Sequence, residues 1–251
     1  MKHYVANYII NPAHPLTVAL IGVGGTGSQV LTSLGRMNYA LLQLGHPGLH
    51  VTAYDGDIVT QANCGRQLFA EQEVGLNKAS ALVTKMNMFF GTRWESCPRF
   101  YDNDCPRANI VISCVDTAKA RLQLSEWLFK KRGYGDTTYT YYWLDFGNNA
   151  TTGQVVVGSA GNKIPQPKNN RGCSDYLKSV TEMFNLKKVN DRDAGPSCSL
   201  AEALSKQDLF VNSTLAQIGM AVMWKMFKFG VIDIQGAFLN LDTMKVNPIK
   251  I

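Results

Sequence analysis

A run of glycines lies between an apolar segment and a segment with helical spacing. The stretch from Leu16 to Met37 reads LTVALIGVGGTGSQVLTSLGRM. Glycines between a strand and a helix let the backbone approach a phosphate closely, and the first N–H groups of the helix face the anion. The stretch therefore predicts a phosphate-binding turn, formed by Gly22, Gly24, Gly25 and Gly27. By itself, the turn does not distinguish a dinucleotide from ATP.

Polar and charged side chains follow the next apolar run, LHVTAYD. Its last residue, Asp55, is placed to accept hydrogen bonds from ribose hydroxyls. The stretch after it adds two cations and two amides, namely Asn63, Arg66, Gln67 and Lys78. Cations stabilise the charge on phosphate oxygens during phosphoryl or nucleotidyl transfer, but they matter little for hydride transfer. The stretch therefore favours ATP, because an NAD-dependent oxidoreductase would explain only the glycines and Asp55.

Alternating strands and helices must position these residues. Strand-like runs cover 16–21, 49–55 and 108–116, and helical spacing covers 28–44, 77–90 and 118–133. This order predicts the α/β class, with a Rossmann-like, largely parallel sheet flanked by helices. Asp116 ends the third strand and is therefore expected at the same edge of the sheet as the glycine turn.

The second half of the chain has a different pattern. Runs at 138–148 and 151–160 predict an antiparallel hairpin that extends the sheet. The segment 159–197 is rich in Lys, Asn, Gly and Pro, which predicts a long, partly mobile crossover loop. A strongly apolar helix is predicted over 209–229, with strands closing the chain. We interpret 1–251 as a single domain, with a nucleotide-binding half at 1–135 and the extension at 136–251.

The composition argues against several other classes of protein. Six cysteines without a CxxC pair do not indicate a disulfide framework or a thiolate zinc site. The four histidines all lie in the first fifth of the chain, away from any candidate nucleophile. A net charge of +6 without a basic stripe does not predict a nucleic-acid partner. The sequence has neither a run of membrane-spanning length nor a signal peptide, so we expect a cytoplasmic protein.

The motifs GVGGTGS, DGDIV with the following N and RQ, VGLNKA and CVDTAKAR occur in this order along the chain. This ordered set resembles the ThiF/E1-like superfamily of enzymes that activate ubiquitin-like proteins. The resemblance continues through GNNATTGQVVV and PSCSLAEAL to the long apolar helix. Within the superfamily, the chain is most similar to the ThiF-type protein of PRTRC systems, gene neighbourhoods that also encode a small ubiquitin-like protein.

The resemblance implies a function and a set of residue roles. Members use ATP to adenylate the C-terminal carboxylate of a small β-grasp protein. By this resemblance, the glycines would shape the phosphate loop, Asp55 would hold the ribose, and Asp57 would support the turn after it. Arg66 and its neighbours would contact the triphosphate, with Lys78 reaching the phosphates. Asp116 would hold magnesium. The residues so implied at the triphosphate are Asn63, Arg66, Gln67 and Lys78.

Several features of the resemblance leave alternatives open. Cys198 aligns with a cysteine that some members use to take the acyl group, with Cys173 as its rival. The chain lacks the CxxC pairs that bind structural zinc in many members, and it has no arginine before Arg36 to reach a partner's ATP site. A homodimer through the helix at 209–229 is expected. Other possibilities are activation of a peptide or a modified tRNA base, or a non-catalytic E1-like subunit that only binds a partner.

Overall fold

One eight-stranded sheet organises the chain. The structure is a computed structural model, and it describes residues 1–130, 139–168, 172–189, 201 and 207–251. The strands are β1 (His3–Tyr4), β2 (Leu16–Ile21), β3 (Leu49–Tyr54), β4 (Glu95–Cys97), β5 (Ile110–Ser113), β6 (Tyr142–Asn148), β7 (Thr152–Ser159), β8 (Val231–Ile232), β9 (Ile234–Asn240) and β10 (Lys245–Lys250). The order in the sheet is β10-β9-β7-β6-β5-β2-β3-β4, while β1 and β8 form a separate pair.

The helices lie on both faces of this sheet. They are α1 (Asn7–Ile10), α2 (Gly25–Gln43), α3 (Lys78–Phe90), α4 (Ala118–Phe129), α5 (Val180–Met183) and α6 (Val211–Phe229). Alternate residues of β2 enter two different clusters: Leu20 packs in the core that holds α2 and α6, and Ile21 packs in the core that holds α4. Burial on both faces explains why the strands of this half read as continuous apolar runs. Among the described residues, no helix is long and apolar enough to cross a membrane.

The parallel half of the sheet matches the predicted Rossmann-like pattern. Strand β2 pairs in parallel with both β3 and β5, so the chain leaves β2 on one side and later returns on the other. The register aligns Ile21 with Tyr54 on one side and with Ser113 on the other. The residues that follow these three positions therefore emerge together at the carboxyl edge. This edge is the topological switch point, where open α/β sheets bind their ligands.

The antiparallel half extends the sheet through hairpins. Strand β7 pairs antiparallel with β6 and with β9, and β9 pairs antiparallel with β10. The hairpin predicted at 138–160 is therefore present, and the closing segment is a second hairpin. The short strands β1, β4 and β8 were not predicted from the sequence, because two or three residues give no periodic pattern.

The crossover segment predicted at 159–197 is more ordered at its start than its composition indicates. Its described part packs on the sheet: the Ser159 N–H donates to the Leu177 carbonyl at 2.8 Å, and the Leu177 N–H donates to the Ser159 hydroxyl at 3.0 Å. Ile164, Leu177 and Val180 are buried. Residues 169–171 and 190–197 lie outside the described residues. Scattered apolar residues therefore anchor the described part of the predicted crossover loop to the sheet, and its partial mobility stays a prediction.

Helix α6 packs inside the chain. Leu215, Met223 and Met226 are buried in the main core, together with residues of α2 and β7. Its exposed positions include Gln217 and Lys225. The predicted homodimer through 209–229 stays a prediction. Because the sheet and α2 cover the apolar face of α6, such a contact would use the exposed side of the helix.

The N-terminal segment is fixed by a buried histidine. The two ring nitrogens of His3 lie 2.8 Å from the Ser174 carbonyl oxygen and 2.9 Å from the Tyr142 hydroxyl. The Tyr142 hydroxyl also accepts a hydrogen bond from the Ala6 N–H at 2.9 Å. Burial lowers the pKa of His3 from its ordinary value, although the Ser174 carbonyl opposes this shift. The neutral ring therefore stabilises the fold.

Replacing His3 with glutamine should weaken the dependence of stability on acid pH. Because the pKa of His3 is lowered in the folded state, the unfolded chain binds the proton more tightly, and the free energy of unfolding falls as pH drops below the ordinary pKa. Glutamine keeps a donor and an acceptor but does not titrate. Urea unfolding at about pH 7.5 and about pH 5 should show a larger loss for the wild type than for His3→Gln. Equal losses would refute this role for His3.

Candidate active site

The glycine turn is shaped by close backbone contacts. Gly22 has φ of +82°, and a Cβ added there would lie 2.8 Å from the Cys114 carbonyl oxygen. A Cβ on Gly27 would collide with the Gly22 carbonyl oxygen. The Gly22 N–H donates to the Tyr54 carbonyl at 2.9 Å, which continues the ladder between β2 and β3 by one residue. Helix α2 then begins at Gly25, so its first N–H groups open onto the turn.

Asp55 fixes the conformation of this turn from the neighbouring strand. One carboxylate oxygen accepts from the Val23 N–H at 2.8 Å, and the other accepts from the Asp57 N–H at 2.9 Å. The side chain is buried, which raises the pKa of Asp55, while the two N–H donors act in the opposite direction. Each oxygen retains lone-pair capacity for a further donor. The structure is thus compatible with the predicted contact to ribose and adds a structural role for Asp55.

Lys78 forms an ion pair with Asp57. Its Nζ lies 3.1 Å from an Asp57 carboxylate oxygen, and its backbone N–H donates to the Asp57 carbonyl at 3.0 Å. Asn77 caps α3 by accepting from the Ser80 N–H at 3.0 Å, and its amide donates to the Asp55 carbonyl at 2.8 Å. The first turn of α3 is therefore tied to the turn after β3. The predicted contact of Lys78 with phosphates stays a prediction.

Asn63, Arg66 and Gln67 belong to one compact turn. The Asn63 carboxamide oxygen accepts from the Thr60 N–H at 2.9 Å, and its backbone carbonyl accepts from the Gln67 N–H at 2.9 Å. The Gln67 side chain lies beside Gly24, 3.9 Å from the position that a Cβ would occupy there. The turn that carries the predicted amides and Arg66 therefore closes against the glycine turn. In this arrangement Asn63 stabilises its own turn.

Two buried polar atoms of this turn lack a partner. Among the described residues, neither Nε of Arg66 nor Oε1 of Gln67 has a hydrogen-bond partner. Buried polar atoms in folded proteins are nearly always paired, so an unpaired guanidinium N–H beside a helix N-terminus indicates a place for an acceptor. A phosphate oxygen is the acceptor that suits a guanidinium best.

The C-terminal half of the chain contributes to the same site. Arg66 donates from Nη1 to the Gln207 side-chain oxygen at 2.8 Å, and Asn212 donates to the same oxygen at 2.9 Å. The Asn212 carboxamide oxygen accepts from the Thr26 hydroxyl at 2.8 Å. Gln207 and Asn212 were not identified from the sequence. Their separation from Arg66 and Thr26 by more than a hundred residues leaves no local signal for this contact.

Asp116 is exposed in the loop that follows β5. The loop lies against the glycine turn, since the Cys114 N–H donates to the Ile21 carbonyl at 2.8 Å, next to Gly22. Thr117 then caps α4 by accepting from the Ala120 N–H at 3.2 Å. No group of three or more His, Cys, Asp or Glu residues suited to a metal occurs in the described part of the chain. Asp116 would therefore need other ligands to bind an ion.

The cysteines differ in their surroundings. Cys198 and residues 190–200 lie outside the described residues. Cys173 is half-buried and pairs with Lys2 in an isolated β-bridge, so its described backbone contacts are with the N-terminal segment. Burial raises the pKa of Cys114 well above its ordinary value. A protonated thiol is a poor nucleophile, so Cys114 is better suited to packing beside the glycine turn than to catalysis.

Comparison with known proteins agrees with this fold. The chain is similar to the crystal structure of PaaA, with a TM-score of 0.57 and 16% identity, over 94% of this chain and 64% of that one. It is also similar to Escherichia coli MccB, with a TM-score of 0.59 and 16% identity, over 96% of this chain and 63% of that one. A structure of MccB with ATP gives a TM-score of 0.56 at 16% identity, with coverage of 96% and 64%.

The chain thus spans less than two thirds of the length of these solved structures. A search of curated protein sequences gives no match. The model of one protein family, the ThiF family, matches residues 13–250. This range contains the glycine turn, the turn of Arg66 and the loop of Asp116, so the chain belongs to the ThiF family.

Proposed function

We propose that this protein binds ATP at the glycine turn and transfers the adenylyl group of ATP to the C-terminal carboxylate of a small ubiquitin-like protein. The observation that carries the proposal is the buried Nε of Arg66, which has no hydrogen-bond partner among the described residues. The turn that holds it lies against the glycine turn, where Gln67 is beside Gly24. The Nε donor of Arg66 fits a phosphate oxygen. Family membership and the fold shared with MccB, one structure of which was determined with ATP, support the same ligand.

The residues of the glycine turn and of the two turns that follow β3 fit a nucleoside triphosphate. The N-terminus of α2 and the glycine turn supply backbone N–H groups. Because Gly22 and Gly27 have no side chains, the backbone of the turn packs closely on itself and on the Cys114 carbonyl. Asp55 offers acceptor capacity at the end of β3 for ribose hydroxyls. Arg66 supplies a positive charge from the opposite side. The nucleotide would therefore be bound along the carboxyl edge of β3, β2 and β5.

Magnesium fits this site only together with the nucleotide. Asp116 is an exposed carboxylate, and the described residues contain no group of three or more His, Cys, Asp or Glu residues suited to a metal. Magnesium commonly uses one or two carboxylates plus substrate phosphates and water. Asp116 would hold such an ion against the phosphates, and the ion would supply positive charge there. Structural zinc is not part of the proposal.

The proposed reaction requires little covalent chemistry from the protein. An oxygen of the substrate carboxylate attacks the α-phosphorus of ATP, the bond to the bridging oxygen breaks, and pyrophosphate leaves with that electron pair. The product is a mixed acyl–adenylate anhydride. A carboxylate is already ionised at neutral pH, so no general base is needed. Arg66 would hold and neutralise the phosphates, and the glycine turn would fix their position.

The partner in this proposal is a small ubiquitin-like protein, such as the one encoded in PRTRC systems. The support is the resemblance of the ordered motifs and the family to which the chain belongs. A later transfer of the acyl group to Cys198 or Cys173 belongs to the same proposal. A homodimer stays a prediction, and its interface would have to lie away from the buried face of α6.

ATP–pyrophosphate exchange tests the proposed function. With a candidate ubiquitin-like protein present, the wild type should incorporate labelled pyrophosphate into ATP. In the Asp116→Ala variant this rate should be about 10²–10³-fold lower, because the variant lacks the carboxylate that would hold the magnesium ion against the phosphates. Cys198→Ala should retain exchange, since adenylation precedes any thioester. Asp233→Ala, which removes an exposed aspartate outside the site, is the matched control and should behave as the wild type.

The alternatives give different results in the same assay. Exchange that depends on a small peptide or a modified tRNA base, but not on the protein partner, would replace the proposed substrate. Partner binding without any exchange would indicate a non-catalytic subunit. Either outcome would contradict the proposal.

A further inference from the structure

A buried ion pair lies directly beneath the loop of Asp116. Arg121, in the first half of α4, places Nε 2.8 Å from one carboxylate oxygen of Asp145 and 3.1 Å from the other. Side-chain exposure is 9% for Arg121 and 1% for Asp145. Asp145 belongs to β6, the strand next to β5 on the side away from the glycine turn. Neither residue reaches the surface, so the pair cannot serve as an ordinary surface ion pair.

The guanidinium of Arg121 binds the Asp116 loop through its remaining donors. Nη2 donates to the Val115 carbonyl at 2.7 Å, and Nη1 donates to the Thr117 carbonyl at 3.3 Å. These carbonyls belong to the residues on either side of Asp116. Nη2 also donates to the Phe146 carbonyl of β6 at 2.8 Å. One side chain therefore ties the backbone around Asp116 to the adjacent strand.

The acceptor of this pair is itself held in place. An oxygen of Asp145 accepts from the Ser113 hydroxyl at 2.6 Å, and Ser113 in turn accepts from the Trp143 indole N–H at 2.7 Å. Trp143 is fully buried in the core. Burial of a charged pair is costly unless its remaining hydrogen-bonding groups are satisfied, and here the carboxylate is fixed by two residues of the sheet. The position of the Asp116 loop is thus connected to the core.

The geometry points to Arg121 and Asp145 as positioning residues that hold Asp116 where an ion bound to the nucleotide would meet it. This inference rests on the proposed function. Arginine is required because its planar fork reaches the carboxylate and three carbonyls at once, whereas lysine offers a single nitrogen. Partners that orient a metal-ligating side chain typically change metal affinity about 10–100-fold when they are removed.

The test compares ATP binding in magnesium with ATP binding in EDTA. In EDTA, calorimetric titration of Arg121→Lys should give the wild-type affinity for ATP. In magnesium, the affinity of Arg121→Lys for ATP should be about 10–100-fold lower than that of the wild type. Asp145→Asn should lose the gain in the same way, which provides a second variant if one does not fold. Arg107→Lys is the matched control: Arg107 binds the Lys130 carbonyl near the other end of α4, and its replacement should leave the gain unchanged.

Hydrogen exchange provides a readout that needs no ligand. In Arg121→Lys, amides of the segment 114–121 should exchange faster than in the wild type, because the loop and the first turn of α4 lose their anchor. The inference would be overturned if magnesium increased the ATP affinity of both variants as much as that of the wild type. An equal loss of ATP affinity with and without magnesium would also overturn it. If the wild type binds no ATP, the proposed function is refuted instead. Unchanged amide hydrogen exchange over 114–121 in Arg121→Lys would then overturn the positioning role separately.

Discussion

Arg66→Ala should lower the rate of ATP–pyrophosphate exchange by about 10²–10³-fold, the usual cost of removing one group that stabilises developing charge. The Nε of Arg66 is buried and has no partner in the described part of the chain, and Nη1 donates to Gln207, which Asn212 connects to Thr26 of α2. Alanine removes both the charge and the oriented donor. The measurement is exchange at saturating partner, together with the free energy of unfolding to show that the variant is folded.

Two variants separate the role of Arg66 from a general loss of charge. Arg93→Ala removes an exposed arginine just before β4, at the amino edge of the sheet, and should leave exchange unchanged. Gln207→Ala keeps the guanidinium but removes its acceptor, so it should raise KM for ATP more than it lowers the maximal rate. Exchange by Arg66→Ala at the wild-type rate would refute the assignment of Arg66 to the phosphates.

Gly22→Ala should weaken nucleotide binding and destabilise the fold more than Gly45→Ala does. The two glycines share φ of +82°, so alanine meets the same backbone strain of about 1–2 kcal/mol at each position. They differ in the space around them. A Cβ at position 22 lies 2.8 Å from the Cys114 carbonyl oxygen, whereas a Cβ at position 45 has no atom within 4 Å.

The difference between the two variants therefore measures the close packing of the turn. Gly22→Ala should cost about 1–3 kcal/mol more in the free energy of unfolding, as overpacking does elsewhere. It should also bind ATP at least about tenfold more weakly, because relief of the clash moves the N–H groups that face the ligand. Urea unfolding and calorimetric titration give the two quantities. Equal destabilisation by both variants would show that the turn has room to relax.

Variants that test the proposed function and variants that test the positioning pair should affect different parts of ATP binding. Arg66 and the glycine turn concern the phosphates, and their variants should weaken ATP binding with or without magnesium. Arg121 and Asp145 concern only the loop of Asp116, so their variants should affect the part that depends on magnesium. The two sets of variants can therefore be interpreted separately in one titration series.

The parallel half of the fold could be predicted from the sequence because its signals are local. The strands β2 and β3 are apolar runs bounded by turns, and α2 and α3 have helical spacing with recognisable ends, such as Asn77 at the start of α3. The hairpin of β6 and β7 also follows from a short turn between two apolar runs. The strands β1, β4 and β8 could not be predicted, since their pairing depends on partners elsewhere in the fold.

The packing of α6 depends on partners that its composition does not specify. Its apolar residues predict burial, but they do not specify whether the burial partner is the same chain or a second copy. The tertiary structure supplies that partner, since α2 and the antiparallel strands cover the apolar face. The described part of 160–189 is similar: a few buried side chains anchor a segment whose overall composition is that of a loop.

The glycine turn, the acidic residue after β3 and the polar stretch around Arg66 could be recognised from the order of the residues. These features depend on residues close together in the chain, or at the ends of neighbouring strands. The ion pair of Lys78 with Asp57, the contact of Gln207 with Arg66 and the bond from Arg121 to the loop of Asp116 depend on the folded arrangement. Each long side chain has several donors and many possible acceptors. Which acceptor it binds depends on the distances that folding sets between segments, and the order of residues alone does not contain those distances.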